Sequence, residues 1–409
     1  MKRIALIASI VVQSTLLFSQ SSAQISPNNQ LVFSLNNGEY EFGLGGLIQV
    51  SANRLSSSIS DPKNQLFPQR TFFNFHGKSY KNGLGFFVQT DFSMPSLLLD
   101  AVMTYQPTPN LNLEIGQRQN VGNNRELLLQ EGNLMNPDRE LLSSAFARSG
   151  REFGIFLDHS FALGKLVFNP QISVTSGDGM NSFGIDSRDV DQGGLKFSGR
   201  LDIYPFGNKL HYRQMQLSTI NSASSESSTN SRPWAVFGLY GSINQGASDS
   251  KGEGHNKFSL YTSSGETLLP NFRKWGVDLL FKWNRLSLLA EYTINTANGI
   301  QGSYTDIYGT QKLKETQISE YLTLGSGYQM RLGYLLPKQF ELYGTYSSVT
   351  QEFNQNPYSL LQSQSSWKAG LSKYNKTKNL RLHFAFGRTT LTKQQTSNTQ
   401  IHFGAQMTL

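Results

Sequence analysis

The stretch "NLRLHFAFGRTT", Asn379 to Thr390, alternates without a break. Leu380, Leu382, Phe384 and Phe386 fall on one side, and Arg381, His383, Ala385 and Gly387 on the other. A period of two belongs to an extended strand, whose successive side chains point to opposite faces. A soluble sheet hides its apolar face in a core, whereas a strand crossing a bilayer shows that face to hydrocarbon. Which solvent each face meets decides the fold.

The same pattern recurs along the chain. Leu84, Phe86 and Val88 oppose Gly85, Phe87 and Gln89; Leu195, Phe197 and Leu201 oppose Lys196, Ser198 and Arg200; Trp275, Val277, Leu279 and Phe281 oppose Lys274, Gly276, Asp278 and Lys282. About sixteen such segments are predicted, near 40–55, 70–81, 84–92, 97–106, 110–118, 151–161, 165–176, 193–204, 233–244, 273–283, 286–297, 319–335, 339–350, 365–374, 379–391 and 396–409. Short connections such as "YKNG" (80–83), "QPTPN" (106–110), "ALGK" (162–165) and "WNRL" (283–286) alternate with long polar ones at 118–150, 177–192, 245–272, 298–318 and 351–364. "SMPS" (93–96) and the Ser-rich 205–232 break that alternation. Short turns at one end and long loops at the other are the signature of a transmembrane antiparallel β-barrel. In hydrocarbon a sheet must close so that every backbone group is bonded. Leu380 to Phe386 are then expected to face lipid, with Arg381 and His383 in an aqueous lumen.

Composition agrees. Hydrophobic residues make up only 38% of 409, so that after residue 24 no apolar run approaches the roughly 18 residues of a membrane helix. Lys2 and Arg3 ahead of the apolar run Ile4–Phe18, then small residues at Ser21 and Ala23, read as a signal peptide over 1–23. Removing it takes the formal charge from +8 to +6, and the absence of cysteine leaves neither a lipid-modified cysteine nor a disulfide. The expected organisation is that signal peptide, a periplasmic segment at 24–39 and a bacterial outer-membrane barrel at 40–409, with a constriction loop at 118–150 and a long periplasmic connection at 205–232. The terminal "TQIHFGAQMTL" keeps the outward parity and ends in Leu409, where barrels commonly carry phenylalanine.

From about Arg70 to Gly207 the chain resembles the phosphate-selective porin O and P family, through "FFNFHGKSYKNGLGFFVQTDFSMPSLLLDAVMTYQPTPNLNLEIGQ", "NPDRELLSSAFARSGREFGI", "SGDGMN" and "SGRLDIYPFG". The C-terminal half matches in architecture only. The resemblance implies a sixteen-stranded, usually trimeric diffusion channel, narrowed by an inward-folded loop after the fifth strand. That loop, 118–150, holds Leu127, Leu128, Leu129, Leu134, Leu141 and Leu142, too many leucines for an exposed loop, so they are expected to pack against the inner wall. Helical turns are predicted near 125–131 and 138–146.

Anion passage needs guanidinium or ammonium groups at the constriction. The candidates are Arg118, Arg125, Arg139, Arg148 and Arg151 in and beside the loop, and Lys196, Arg200, Lys274, Lys282, Arg331, Lys368 and Arg381 on the walls. Arg139 and Arg151 lie within family-like stretches. The same parity turns Glu41, Asp91, Asp100, Glu114, Asp202, Asp278, Glu291 and Glu341 inward, and the loop adds Glu126, Glu131, Asp138, Glu140 and Glu152, so basic and acidic groups roughly cancel. Family members commonly carry Lys-X-Pro after the Gly-Gln of strand five, whereas Gly116-Gln117 is followed here by Arg118-Gln119-Asn120. Asp178, Asp186, Asp189 and Asp191 cluster without EF-hand spacing and read as a solvated turn, not a metal site. None of the six histidines sits in a nucleophile motif, so no enzymatic activity, catalytic residue, cofactor or metal is expected. The expected function is passive diffusion of small solutes, anions such as phosphate among them. Expected partners are outer-membrane lipids, those solutes and further copies in a trimer, or other outer-membrane proteins, with no nucleic acid. The alternative is a weakly conducting or plugged barrel serving as a structural subunit of a larger assembly.

Overall fold

The computed structural model describes residues 22–25, 30–182, 193–207, 209, 232–255 and 257–408. The first described strands are β1 (Ser22–Ile25) and β2 (Leu31–Leu35). Ascending and descending strands follow as β3 (Tyr40–Ser57), β4 (Lys63–Ser79), β5 (Leu84–Asp91), β6 (Leu98–Thr108) and β7 (Leu111–Gln119). Next come β8 (Arg151–His159), its short continuation β9 (Phe161–Leu163), β10 (Leu166–Thr175), β11 (Lys196–Tyr204) and β12 (Trp234–Asn244). The last seven are β13 (Asn271–Trp283), β14 (Leu286–Asn298), β15 (Gly325–Leu336), β16 (Phe340–Gln351), β17 (Gln364–Tyr374), β18 (Leu380–Leu391) and β19 (Ser397–Thr408).

Neighbours in sequence pair antiparallel, and β19 closes on β3 from Asn398↔Ser57 to Thr408↔Leu47. With β8 and β9 counted as one strand, β3 to β19 form a closed ring of sixteen. No described helix is long and apolar enough to cross a membrane, and strands make the crossing. The opening stretch shows the logic: Leu380, Leu382, Phe384 and Phe386 are exposed, while Arg381, His383 and Ala385 between them are buried. Lipid in place of a protein core is what lets so many large apolar side chains point outward.

Two aromatic belts bound the outward band. Near the long-loop ends of consecutive strands, Trp275 lies 6.3 Å from Tyr292, Tyr328 6.0 Å from Tyr346, and Trp367 5.5 Å from Phe386, ring centroid to centroid. Trp283, Tyr334 and Phe340 mark the short-turn side. Such girdles sit at the membrane interfaces, where an apolar ring with a polar edge is best solvated. Phe384 lies between them. Phe384→Arg is expected to lower barrel stability by about 2–4 kcal/mol, the cost of a cation near mid-bilayer, read as a lower urea midpoint for the protein in vesicles. An unchanged midpoint would place that face away from lipid.

Three local features depart from the sequence expectation. β4 begins at Lys63 rather than near residue 70, because a register shift at Gln49/Val50 takes in Pro68, which lacks an N–H for the ladder. β15 begins at Gly325 rather than near 319, because Leu322 and Leu324 leave the strand line and pack with Leu260, Phe272 and Ile318 among the outer connections. The short strand β2 was not foreseen; it pairs Leu31↔Leu44 to Leu35↔Tyr40, along the edge of β3 below the point where β19 stops. Most of the expected signal peptide and of 205–232, and Asp186, Asp189 and Asp191, fall outside the described residues.

Candidate functional site: the segment between β7 and β8

Residues 120–150 connect β7 to β8 and carry two short helices, α1 (Arg125–Leu128) and α2 (Leu141–Phe146), with a 3-10 turn at Glu131–Asn133 between them. Their leucines are buried, Leu141 only partly. Leu129, Leu134 and Met135 pack with Tyr204, Val236, Leu280, Leu289, Tyr343 and Ala385, drawn from six strands between β11 and β18. Leu142 and Phe146 pack with Val349 and Leu361. Around this apolar contact lie polar ties to the wall, among them one in which Arg70 and Gln69 of β4 donate to the Pro137 carbonyl and to Asp138, and four that reach other strands.

The first is a closed quartet. Arg125 donates to Asp202 on β11 (Nη2–Oδ1 2.6 Å) and to Asp278 on β13 (Nε–Oδ1 2.9 Å), and Arg200 donates to Asp202 at 2.7 Å and also to Asp278. All four side chains are 0–2% exposed, so the two charges of each sign compensate each other away from water. Burial alone would lower the pKa of the Arg125 guanidinium; Asp202 and Asp278 outweigh it and raise it above the ordinary value. Gly238 on β12 makes the room: a Cβ there would stand 2.3 Å from Arg200 Nη2 and 2.7 Å from Arg125 Nη2.

The second tie is to β15 and β17. Arg331 Nη2 donates to Glu126 at 2.7 Å and to Glu140 at 2.9 Å, and Lys368 Nζ reaches Glu140 at 3.2 Å. The backbone N–H of Glu126 donates to Glu291 on β14 at 2.8 Å. Burial pushes the Glu140 carboxyl up, but Lys368 and Arg331 more than reverse this and hold it below its usual range. The third tie runs to β6: Glu131 accepts from Arg139 (3.0 Å) and Arg151 (2.9 Å), and Arg151 also donates to Asp100 (3.0 Å). Burial likewise raises Glu131, while Arg151 and Arg139 bring it below the ordinary carboxylate range. In the fourth, Gln406 on β19 donates to the carbonyl of Gly132 at 3.1 Å and Arg381 on β18 to that of Leu134 at 2.5 Å.

The segment leaves toward β8 through Gly150, whose φ of +74° and close neighbours Gln119 and Asn123 admit only glycine. There Glu253 accepts the N–H groups of Arg148, Ser149 and Gly150 at 3.0–3.2 Å. Each of the remaining sequence candidates has a definite place. Arg118 pairs with Glu114 and lies over Phe156; Arg148, half-exposed, pairs with Asp249 at 2.7 Å; Lys196 pairs with Glu152 at 2.7 Å; Lys274 donates to the carbonyl of Phe146 at 3.1 Å. Lys282 lies near the short-turn end of β13, within electrostatic reach of Glu341.

Parity placed Asp202, Asp278 and Arg200 inward, but the pairing of Arg125 with partners 77 and 153 positions away left no local mark in the sequence. Arg331 was turned inward by parity, but Gln406 and Gly238 were absent from the candidates, although both sit at inward positions of alternating strands. Asp178, the described member of the aspartate cluster, contacts His255 at 2.5 Å, and among the described residues no group of three or more metal-ligating side chains is gathered.

No protein-family model and no curated protein matches the chain. Solved structures do. The loop L8 deletion mutant of OmpT, an outer membrane protein of Vibrio cholerae, superposes with a TM-score of 0.52 at 9% identity, over 91% of this chain and 100% of that one. In vitro folded OmpT in a trimer form gives 0.51 at 9% identity over 90% and 99%. The outer membrane channel DcaP of Acinetobacter baumannii gives 0.49 at 14% identity over 91% and 99%. Identities this low show a shared fold, that of an outer-membrane barrel, and the resemblance to the phosphate-selective porin family gains no family match. They also correct one expectation. The sequence led to the exclusion of enzymatic activity, but OmpT, an outer membrane protein, is among the matched structures, and a shared fold at this identity leaves enzymatic activity open.

Proposed function

We propose that the chain is an outer-membrane channel for small solutes whose passage is set by residues 120–150 lying across the lumen, and that this passage has little preference between anions and cations. The observation that carries this is where the four ties fall on the ring. In pairing order from β3, β6 is the fourth strand, β11 the eighth, β15 the twelfth and β19 the sixteenth. Glu131 reaches Asp100 of β6 through Arg151 of β8, and Glu126 meets Arg331 of β15 on the opposite wall; Arg125 meets Asp202 of β11 and Gly132 meets Gln406 of β19, opposite in the same way. Ties on two crossing diameters support a segment that spans the lumen, where a loop lying along one wall would hold a single sector.

Charge pairing supports the weak preference. Rings of uncompensated Arg or Lys select anions, whereas Arg125, Arg139, Arg151, Arg200, Lys196 and Lys368 each face a carboxylate. Assembly as a homotrimer belongs to the proposal, and OmpT has a trimer form.

The test is the reversal potential of the purified barrel in a planar bilayer under a KCl gradient, with Arg139→Ala and Arg151→Ala alongside. Conductance with a reversal potential near zero is expected, moving toward potassium preference in each variant as Glu131 loses a partner. Strong chloride preference in the wild type would overturn the charge-balanced pore. The closure of both diameters favours one second reading, a plugged barrel acting as a structural subunit, and the absence of any conductance would establish it over the channel.

A further inference from the structure

The lumen pairs its arginines; the outer wall does not. Arg54 on β3 and Arg388 on β18 are exposed, and neither forms an ion pair with a described residue. Both point outward. Arg54 shares its parity with Ile48 and Val50, and Arg388 with Phe384 and Phe386, all of them on the apolar outer face. Both lie toward the long-loop end, and Arg388 sits one outward position beyond Phe386 and opposite Thr399, with Trp367 across from it on β17.

The two flank a single strand. Arg388 is level with Thr399 of β19 and Arg54 with Ile401 of the same strand. Two strand spacings and one two-residue step put their Cα atoms roughly 12 Å apart, so two long guanidinium side chains reach one group between them. Arg388 Nη2 already leans that way, donating to Ser397 Oγ at 2.9 Å. Asp61, the nearest acid in sequence to Arg54, lies beyond it in the loop joining β3 to β4.

We propose that Arg54 and Arg388 form a binding site for the phosphate of an anionic lipid in the outer leaflet, its acyl chains lying on the apolar face of β18, β19 and β3 below. Guanidinium matches phosphate in charge and in its forked geometry. An uncompensated cation pair directly above an aromatic belt meets lipid headgroups and not bulk water. The site is independent of what passes through the lumen.

The test titrates delipidated protein in non-ionic detergent with bisphosphorylated lipid A and counts bound lipid by native mass spectrometry. Wild-type protein is expected to retain the lipid, and Arg54→Gln/Arg388→Gln to bind it about tenfold more weakly through lost charge-assisted hydrogen bonds. Dephosphorylated lipid A should bind the wild type no better than the variant, and excess inorganic phosphate should not displace the lipid. The heat-dependent shift of a folded barrel on a gel confirms that the variant is folded. Equal binding by the double variant, equal binding of the dephosphorylated lipid, or displacement by inorganic phosphate would each overturn the proposal.

Discussion

Replacing residues 125–146 with a short Gly-Ser linker is expected to raise single-channel conductance severalfold, since a sixteen-strand ring with nothing across it leaves an open aqueous channel. The excised stretch contains Arg125 and Arg139 against Glu126, Glu131, Asp138 and Glu140. Its loss therefore removes two more negative than positive charges and frees Arg331 and Lys368 from Glu126 and Glu140. The reversal potential should then shift toward chloride. The sign matters: a segment that obstructed only by bulk would change conductance and leave selectivity where it was. Unchanged conductance would mean that residues 125–146 do not limit the passage.

The largest expected effect on stability is that of Arg125→Met. It leaves Asp202 and Asp278, both buried, with Arg200 alone. Breaking a buried ion network on one side costs about 3–5 kcal/mol, chiefly through the charge left without a partner. Adding Asp202→Leu restores a one-to-one pair between Arg200 and Asp278 and should recover most of the loss, because apolar groups of suitable shape replace buried ion pairs at little cost. Urea midpoints of single and double variants in vesicles give the comparison. A single variant within about 0.5 kcal/mol of wild type would show that water reaches the quartet and screens it.

The barrel was legible in the sequence because a two-sided wall imposes a period of two on every strand, and lipid on one face enforces it with large apolar side chains. Strand starts at 84 and 286 followed from that period, and those at 340 and 380 to within one residue. Pro68 was misleading for a physical reason, since a proline reads as a strand end until a bulge is known to absorb it. The polar site was half legible. Parity turned Arg200, Asp202 and Asp278 inward, but parity carries no information about height along the barrel or about which long side chain crosses to meet which. Arg125 was visible as a cation in a leucine-rich loop; that two aspartates on different strands await it depends on the register of β11 through β13 and on the space left by Gly238.

The pairing of β19 with β3 joins segments from opposite ends of the barrel sequence, whereas β2 meets the same strand through a turn of four residues, Asn36 to Glu39. Loop-closure entropy makes these two events unequal in time: the local hairpin can form as soon as its residues are available, and the ring can close only when the whole chain has been laid down. An unpaired strand edge is a template for wrong partners during that interval. By occupying Tyr40–Leu44 from the outset, β2 shortens the open edge that β3 presents, leaving Leu47–Ser57 as the stretch on which the final strand must find its register. The N-terminal hairpin thus acts on the order of assembly, guarding one side of the seam until the other side arrives.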